Sequence, residues 1–191
     1  MKLFLNIFLL SFVTNLALAQ SFKFDFGTGT TANGYTKITP DSKFSYVVGF
    51  GFNEGSKVTA IKRKGNDILR CDYITSNKPF YFSVKIPEGN YDVKIILGDK
   101  NGTSATTVRA ENRRLFLQNI RTKKGEIVEK IFTIQVRDST IKDIVGNVID
   151  KVKLKSREIN YFHWDNLLTI EFNDSMPKVC GIEITPNKKA T

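Results

Sequence analysis

The chain has 191 residues, of which 41% are hydrophobic and 12% aromatic, and its formal net charge is +10 at pH 7. This length suits one domain, and the 15 Phe and 6 Tyr residues provide enough apolar surface for a packed core, which excludes a wholly disordered chain. The single histidine, His163, excludes a multi-histidine metal site and leaves one imidazole as a candidate base.

The first 19 residues predict a secretory signal peptide. Lys2 is followed by an apolar stretch from Leu3 to Leu18, and Ala17-Leu18-Ala19 fits the small-x-small pattern of a cleavage site. The apolar stretch is short and interrupted for a membrane-spanning helix. We therefore expect cleavage near Ala19 and a secreted or periplasmic protein that has no membrane anchor.

Beyond Ser21, short runs of alternating apolar and polar residues are separated by turn residues. Phe22, Phe24 and Phe26 would lie on one side of a first strand. The same alternation flanks the turn sequence Pro87-Glu88-Gly89-Asn90, which predicts a β-hairpin over residues 80–97. Further strands are predicted at Thr106–Ala110, Arg114–Leu117, Ile127–Val136, Val148–Leu154, Leu167–Phe172 and Val179–Ile184.

Helical periodicity is scarce, and only Ile141–Ile149 favours a single short turn of helix. Many short strands at spacings of about 8–12 residues are typical of an antiparallel β-sandwich or jelly roll. We therefore predict one all-β domain over residues 20–185, followed by a linker-like tail at 186–191.

Cys71 and Cys180 are the only cysteines. Export would permit a disulfide, and so long a loop would stabilise the fold by roughly 4–5 kcal/mol in the chain-entropy model. Two buried free thiols in neighbouring strands are the other interpretation, and the sequence leaves both open. Neither a CxxC motif nor a zinc-ligand spacing is present, so we expect no cofactor, although a structural calcium ion stays open.

The segment Arg137-Asp138-Ser139-Thr140 superficially resembles the Gly-Asp-Ser block of SGNH esterases. Arg137 replaces the glycine that the nucleophile turn needs, and no Asp-x-x-His motif follows. A turn capped by Asp138 and Ser139 explains these residues better than a Ser139–His163 catalytic pair. We therefore expect no catalysis from this chain alone.

Basic residues recur at every second position in Lys151, Lys153, Lys155 and Arg157. On a strand they would form a row on one face, spaced by roughly 6–7 Å, that could bind the carboxylates of a polyuronide. A solvated face that protects an edge strand is the alternative. Nucleic acid is the usual partner of so basic a domain, but export favours acidic polysaccharide.

An aromatic segment, Tyr161–Asp165, lies between two predicted strands. Sugars stack on exposed rings while planar polar groups bond their hydroxyls, so Tyr161, Trp164 and Asp165 are candidate carbohydrate ligands; a tryptophan that caps the core is the alternative. Arg113, in a second basic cluster, is a further candidate. Structural ion pairs of Arg109, Glu111 and Arg113 across the sheet are the alternative there.

Short motifs follow one another in a recognisable order over residues 24–185. They are Phe24–Gly27, Gly34-Tyr35, Tyr46 with Gly49–Phe52, Phe82–Val84, Pro87–Tyr91, Leu97–Asp99, Thr107–Glu111, Arg113–Leu115, Trp164-Asp165 and Leu168–Asn173. In this order they resemble the non-catalytic domain that precedes rhamnogalacturonan acetylesterases of the SGNH (GDSL) class. The same domain type, a galactose-binding-like jelly roll, is also attached to β-agarases.

The resemblance implies an accessory domain of a pectin-deacetylating enzyme. In that family an esterase domain with a Gly-Asp-Ser block comes next, and the sequence stops at Thr191 before such a block, so no catalytic residue is carried over. The expected function is a non-catalytic, carbohydrate-associated module for acidic plant cell-wall polysaccharide. The alternative is a structural domain that packs on an SGNH esterase domain without binding sugar.

Overall fold

The computed structural model describes residues 21–157 and 164–189. These ranges contain fourteen strands and one 3₁₀-helix, Ile68–Arg70. The strands are β1 (Phe22–Phe26), β2 (Thr36–Ile38), β3 (Phe50–Phe52), β4 (Thr59–Lys62), β5 (Asp72–Thr75), β6 (Phe80–Lys85), β7 (Gly89–Gly98), β8 (Ser104–Ala110), β9 (Arg114–Thr122), β10 (Ile127–Val136), β11 (Thr140–Lys142), β12 (Val148–Lys151), β13 (Leu167–Met176) and β14 (Lys178–Pro186). The prediction of an all-β sandwich is confirmed.

Two sheets form the sandwich. The larger sheet has the order β10-β7-β14-β1-β2, with β5 joined to it through β14 and β4 joined through β5. The smaller sheet has the order β3-β6-β13-β8-β9. The Phe116 ring of β9 stacks on the Phe132 ring of β10 with centroids 4.5 Å apart, so β9 and β10 share one edge of the sandwich. The opposite edge is formed by β2 and β3.

Phenylalanine rings fill the space between the sheets, as the alternating patterns predict. Phe82 of β6 is fully buried, and its ring lies 5.1 Å from Phe24, 5.0 Å from Phe26 and 5.5 Å from Phe52, measured between centroids. Edge-to-face and tilted contacts of this kind add about 0.5–1.5 kcal/mol per pair to the gain from burying the rings. The core therefore ties β1, β3 and β6 together across the two sheets.

The predicted hairpin over residues 80–97 is wrong in its pairing, although both of its strands exist. β6 pairs with β3 and β13 in the smaller sheet, whereas β7 pairs with β10 and β14 in the larger one. The segment between them crosses from one sheet to the other, and the Tyr91 hydroxyl donates to the Pro87 carbonyl at 2.8 Å. Alternation shows only which side chains of a strand face the core. Both β6 and β7 direct apolar side chains into the core, but they do so from opposite sheets.

The predicted helical turn at Ile141–Ile149 is also wrong. Residues 140–151 form a two-stranded hairpin, β11 with β12, which we call the arm. Asp143 shapes its tip: its Oδ1 accepts hydrogen bonds from the amides of Val145 (3.0 Å) and Asn147 (2.8 Å). This turn leaves the side chain of Ile144 fully exposed and that of Val145 largely exposed.

A buried charged group lies on the larger sheet, on the side away from the phenylalanine rings. Asp25 of β1 and Asp72 of β5 are both fully buried, and Lys37 of β2 lies between them. The Lys37 ammonium is 2.9 Å from Oδ1 of Asp25 and 3.4 Å from Oδ2 of Asp72. At Gly27, which has a φ of 139°, a Cβ atom would lie 2.3 Å from Asp72 Oδ2, so only glycine fits beside this group.

Within the ranges that the structure describes, we find no helix with the length and apolar character needed to cross a membrane. The predicted signal peptide at residues 1–19 lies outside those ranges and stays a prediction.

Candidate functional site

A cleft of about 270 Å³ opens at the edge that β9 and β10 share. Three parts of the chain form it: the turn between β8 and β9, the end of β10, and the residue that lies three positions before β13. Its lining consists of Glu111, Asn112, Arg114, Gln135, Arg137 and Trp164. We call it the Trp164 cleft.

The turn between β8 and β9 has an unusual backbone. Glu111, Asn112 and Arg113 have φ values of 41°, 32° and 58°, a left-handed conformation that costs non-glycine residues of order 1–3 kcal/mol each. The Arg114 amide closes the turn by donating to the Glu111 carbonyl at 2.8 Å. The Glu111 amide donates to the carbonyl of Thr169 in β13 at 3.1 Å. The turn is therefore fixed against the neighbouring strand.

The Glu111 side chain faces into this cleft from a buried position, with only 5% of the residue exposed. Its Oε1 accepts a hydrogen bond from the Thr169 amide at 3.0 Å. Burial raises the pKa of Glu111 to about 7, because the Thr169 hydrogen bond only partly offsets the loss of hydration. Near neutral pH this carboxyl group can therefore donate a hydrogen bond as well as accept one.

Two exposed arginines border the cleft. Arg114 begins β9, and its guanidinium lies 5.3 Å from the centroid of the Phe116 ring, a cation–π contact that orients the side chain. Arg137 follows the last residue of β10, and Gln135 lies two positions earlier on the same side of that strand. Among the described residues neither guanidinium forms an ion pair, so both are available to an anionic ligand.

Trp164 lies where the chain enters β13, and it is partly exposed. The next residue, Asp165, accepts a hydrogen bond from the Leu167 amide at 2.9 Å, which shapes the entry to the strand. The indole, two guanidinium groups, two amides and a carboxyl group that titrates near pH 7 thus surround one cavity. Such a set can stack on a sugar ring, bond its hydroxyls and neutralise an acidic substituent.

The structure brings together only some of the residues that the sequence singled out. Trp164 lines the cleft, whereas Asp165 stabilises the neighbouring turn. Arg113 is exposed and lines a separate cavity of only about 20 Å³. Tyr161, the other aromatic candidate, lies outside the described residues, as does His163. Their roles in binding stay predictions.

The basic row is wrong in its geometry. β12 ends at Lys151, and Lys153, Lys155 and Arg157 follow in irregular and turn structure, so the four side chains do not share the face of one strand. The exposed arm supplies no neighbouring strand to extend β12 further. All four residues are exposed, and their role in sugar binding stays a prediction.

Cross-strand ion pairing is seen at Arg109 but not in the form the sequence predicts. Arg109 Nη1 lies 3.3 Å from Oε1 of Glu171, its partner in the β8–β13 register. Glu111 instead accepts the Thr169 amide. This leaves its carboxyl facing the cleft rather than paired with Arg113.

Five cleft residues were not candidate ligands in the sequence: Glu111, Asn112, Arg114, Gln135 and Arg137. They come from two segments, the turn between β8 and β9 and the end of β10, that only the sandwich brings together. The one local signal was the exposed position of Gln135 and Arg137 in the alternating pattern of β10, on either side of the buried Val136.

Other candidate chemistry has no assembled site in the described ranges. Asp138 accepts hydrogen bonds from the amide and hydroxyl of Thr140, as expected of a capped turn around Ser139. No group of three or more potential metal ligands occurs among the described residues. Cys71 and Cys180 are both buried free thiols, and their sulfur atoms donate to the carbonyls of Ile68 and Gly98.

Comparison with known proteins identifies relatives. A family model described as "Beta-agarase/YXIM esterase-like, galactose-binding domain-like" matches residues 22–159. Beta-agarase A of Zobellia galactanivorans is 30% identical over 134 residues, which are 68% of this chain and 24% of that protein. The uncharacterized esterase YxiM of Bacillus subtilis is 25% identical over 128 residues, 65% of this chain and 32% of that protein.

A crystal structure of the Bacillus subtilis YxiM protein superposes with a TM-score of 0.62 and 21% identity, over 88% of this chain and 40% of that one. This likeness shows the fold, and the predicted galactose-binding-like jelly roll is confirmed. The chain spans about a quarter to a third of the curated relatives it matches. The family match includes the cleft residues from Glu111 to Arg137, whereas Trp164 lies beyond it.

Proposed function

The chain belongs to the beta-agarase/YXIM esterase-like, galactose-binding domain-like family, and from this membership we propose that it is a non-catalytic module that binds acidic plant cell-wall polysaccharide. Rhamnogalacturonan is the first candidate ligand. The module would act after export and removal of residues 1–19, and it would hold an SGNH esterase domain on its pectic substrate.

The observation that carries the proposal is the composition of the Trp164 cleft. An indole offers a flat apolar face to the C–H groups of a sugar ring, and the amides of Asn112 and Gln135 can bond vicinal hydroxyls. The carboxyl group of Glu111 can donate or accept near neutral pH. Each of these groups suits a sugar, and together they line one cavity.

The charge of the cleft supports an acidic sugar over a neutral one. Arg114 and Arg137 place two guanidinium groups at its edge, and the planar fork of each matches a carboxylate in two hydrogen bonds. A uronate carboxylate between them would form charge-assisted hydrogen bonds. The net charge, +10 for the full sequence and +9 without Lys2, would also attract a polyanion from a distance.

Calorimetry and affinity electrophoresis with rhamnogalacturonan, polygalacturonate and neutral galactan test this proposal. Trp164→Ala should weaken binding about tenfold or more, since one stacking contact is worth more than about 1 kcal/mol. The double variant Arg114→Gln/Arg137→Gln should weaken binding of the acidic polymers alone. Added salt should weaken the same binding steeply, because the attraction between charges is screened.

Lys78→Gln is the matched control, because it removes an exposed cation outside the cleft. We expect less than about a twofold change, as for a remote surface charge. Lys153→Gln tests the predicted basic residues after β12, and an equal loss in it and in the arginine variant would move the site to them. No binding of any of the three polymers at millimolar sugar and low salt would refute the proposal.

A second candidate function, a structural domain that packs on an esterase domain, is favoured by the arm. A hairpin of two strands is marginal on its own in water, and apolar side chains that a shaped turn holds in solvent are typical of a docking surface. The relatives are longer than this chain, which leaves room in them for such a neighbour.

The two functions differ in what the arm does. If the domain binds none of the polysaccharides, and Ile144→Ser/Val145→Ser weakens its association with a separately produced SGNH esterase domain, the arm is the functional surface. If the domain binds sugar and that double variant leaves the binding unchanged, the Trp164 cleft is the functional surface. Sedimentation velocity measures the first property and calorimetry the second.

A further inference from the structure

A second and larger cleft, of about 540 Å³, lies at the opposite edge of the sandwich. The beginning of β1, the turn at residues 45–49, Thr36 of β2 and Lys85 of β6 line it, and it shares no lining residue with the Trp164 cleft. We call it the Tyr46 cleft. The strand order puts β2 four strands away from β10, and at about 4.8 Å per strand the two edges are roughly 19 Å apart.

An exposed aromatic ring is held in place at this cleft. The Tyr46 residue is 62% exposed, yet its ring packs edge-on against Phe44 with centroids 5.3 Å apart. The turn that carries it is closed by the Gly49 amide, which donates to the Ser45 carbonyl at 2.8 Å. Gly49 has a φ of 84°, and its carbonyl accepts the Lys85 amide at 2.7 Å. The ring is thus presented by a turn fixed at both ends.

Cations accompany the ring, and no acidic side chain lines the cleft. Lys23 and Lys85 are both exposed lining residues, and within the described ranges neither ammonium lies within 4 Å of a carboxylate. The Lys23 ammonium lies 5.7 Å from the centroid of the Tyr35 ring, and its charge is partly balanced by its register partner Glu183, so Lys85 supplies the unbalanced positive charge of the cleft. The cleft therefore has a positive potential beside an aromatic face.

A ring to stack on, the ammonium group of Lys85 and the hydroxyl of Thr36 suit an acidic sugar, as the other cleft does. A neutral sugar would leave the ammonium group of Lys85 without a partner. A simple phosphate or carboxylate ion would leave the ring unused. A sugar acid in its pyranose form uses both features of the cleft.

We propose that the Tyr46 cleft is a second binding site for acidic sugar, so that one molecule binds two polysaccharide segments at opposite edges of the sandwich. The chemical class of ligand rests on the proposed function, whereas the second site rests on the Tyr46 cleft alone. Two sites roughly 19 Å apart on one rigid body would link neighbouring polymer chains, and they would raise the apparent affinity for a dense matrix well above that for a short oligosaccharide.

Calorimetry of the intact chain with a short oligogalacturonate tests the proposal through the stoichiometry. The wild type should bind two oligosaccharides, and Trp164→Ala and Tyr46→Ala should each bind one. Lys85→Gln should weaken the second site about tenfold, as loss of one charged contact would. Lys78→Gln, an exposed lysine that lines neither cleft, is the matched control and should bind as the wild type does. Light scattering with polygalacturonate should show cross-linking by the wild type and by Lys78→Gln, but not by Trp164→Ala or Tyr46→Ala.

The outcomes separate the two proposals. One site that Trp164→Ala removes would overturn the second site and leave the first standing. A single site that Tyr46→Ala removes would overturn the Trp164 cleft as a binding site and leave the Tyr46 cleft standing. Two sites per chain with no cross-linking of the polymer would contradict the bridging function and retain the second site. Because Tyr46 and Trp164 are not part of the core, circular dichroism and thermal melting should show both variants folded.

Discussion

Glu111 and Thr169 bond each other in both directions: the Glu111 amide donates to the Thr169 carbonyl at 3.1 Å, and the Thr169 amide donates to the Glu111 carboxyl group at 3.0 Å. This reciprocal pair fixes the strained turn between β8 and β9 to β13 and buries an acid within the wall of the Trp164 cleft. The stability of the domain should therefore depend on the ionisation of one side chain.

Glu111→Gln should change how stability depends on pH. Burial raises the pKa of Glu111 from 4.5 to about 7, so the folded state binds a proton more tightly than the unfolded state does. The stabilisation is complete below about pH 4.5 and is lost as the pH rises through 7, a change of a few kcal/mol at most. The variant keeps an acceptor for the Thr169 amide without this titration.

Urea unfolding of both proteins at pH 5 and at pH 8 measures the effect. We expect similar free energies of unfolding at pH 5 and a more stable variant at pH 8. A constant difference at the two pH values would show that Glu111 ionises as an ordinary surface acid does. Glu54→Gln, an exposed carboxylate elsewhere, is the control and should have no such effect.

Lys37→Met should destabilise the fold strongly. It removes the ammonium that lies between the buried carboxylates of Asp25 and Asp72, and breaking a buried ion pair costs about 3–5 kcal/mol. Burial raises the pKa of Asp25, so the loss should be smaller at pH 4, where this carboxylate can take up a proton. Guanidinium chloride unfolding at pH 7 and pH 4 checks both points. Lys130→Met, at an exposed position of β10, should stay within about 0.5 kcal/mol of the wild type.

Phe82→Ala should cost about 3–5 kcal/mol, because the ring is fully buried and touches three other phenylalanine rings. Equilibrium unfolding in urea gives the value. Ile131→Ala, on the exposed side of β10, serves for comparison and should change stability by less than about 0.5 kcal/mol. Equal effects of the two changes would mean that Phe82 does not hold the sheets together.

The two cysteines should react with a thiol reagent only when the protein unfolds. Both are buried free thiols, and burial raises the pKa of Cys180, which further lowers its reactivity. Ellman titration should therefore count two thiols per chain in urea and almost none in buffer. A reductant should leave the melting temperature unchanged. A disulfide would give no thiols in urea, and its reduction would lower stability by roughly 4–5 kcal/mol.

The sequence predicts strands well where one face is buried along several residues. β1, β10 and β14 alternate over five to ten residues, and their predicted bounds lie close to those observed. β2 and β3 have three residues each, too few for a periodic signal, and neither was predicted. Alternation also carries no information on the partner of a strand, which is why β6 and β7 were paired with each other.

The candidate site was predictable only in part, for the same reason. Trp164 stood out by its residue type, but the groups that join it come from the turn at Glu111 and from the end of β10 near Arg137. Those segments are separated by more than 20 residues and meet because β9 and β10 share an edge of the sandwich. The spacing of residues along the chain therefore carries no information on the contact between these two segments.

The place of β14 in the larger sheet has a consequence for how the chain folds. This strand is the last in sequence, yet it lies between β7 and β1 and joins the two halves of its sheet. The sheet cannot close until residues 178–186 are available, and on that side β1 must wait for a partner more than 150 residues away. Such distant pairing makes folding slow and leaves nascent strands unpaired. A chain shortened by its final strand should therefore fail to fold, rather than fold into a smaller version of the domain.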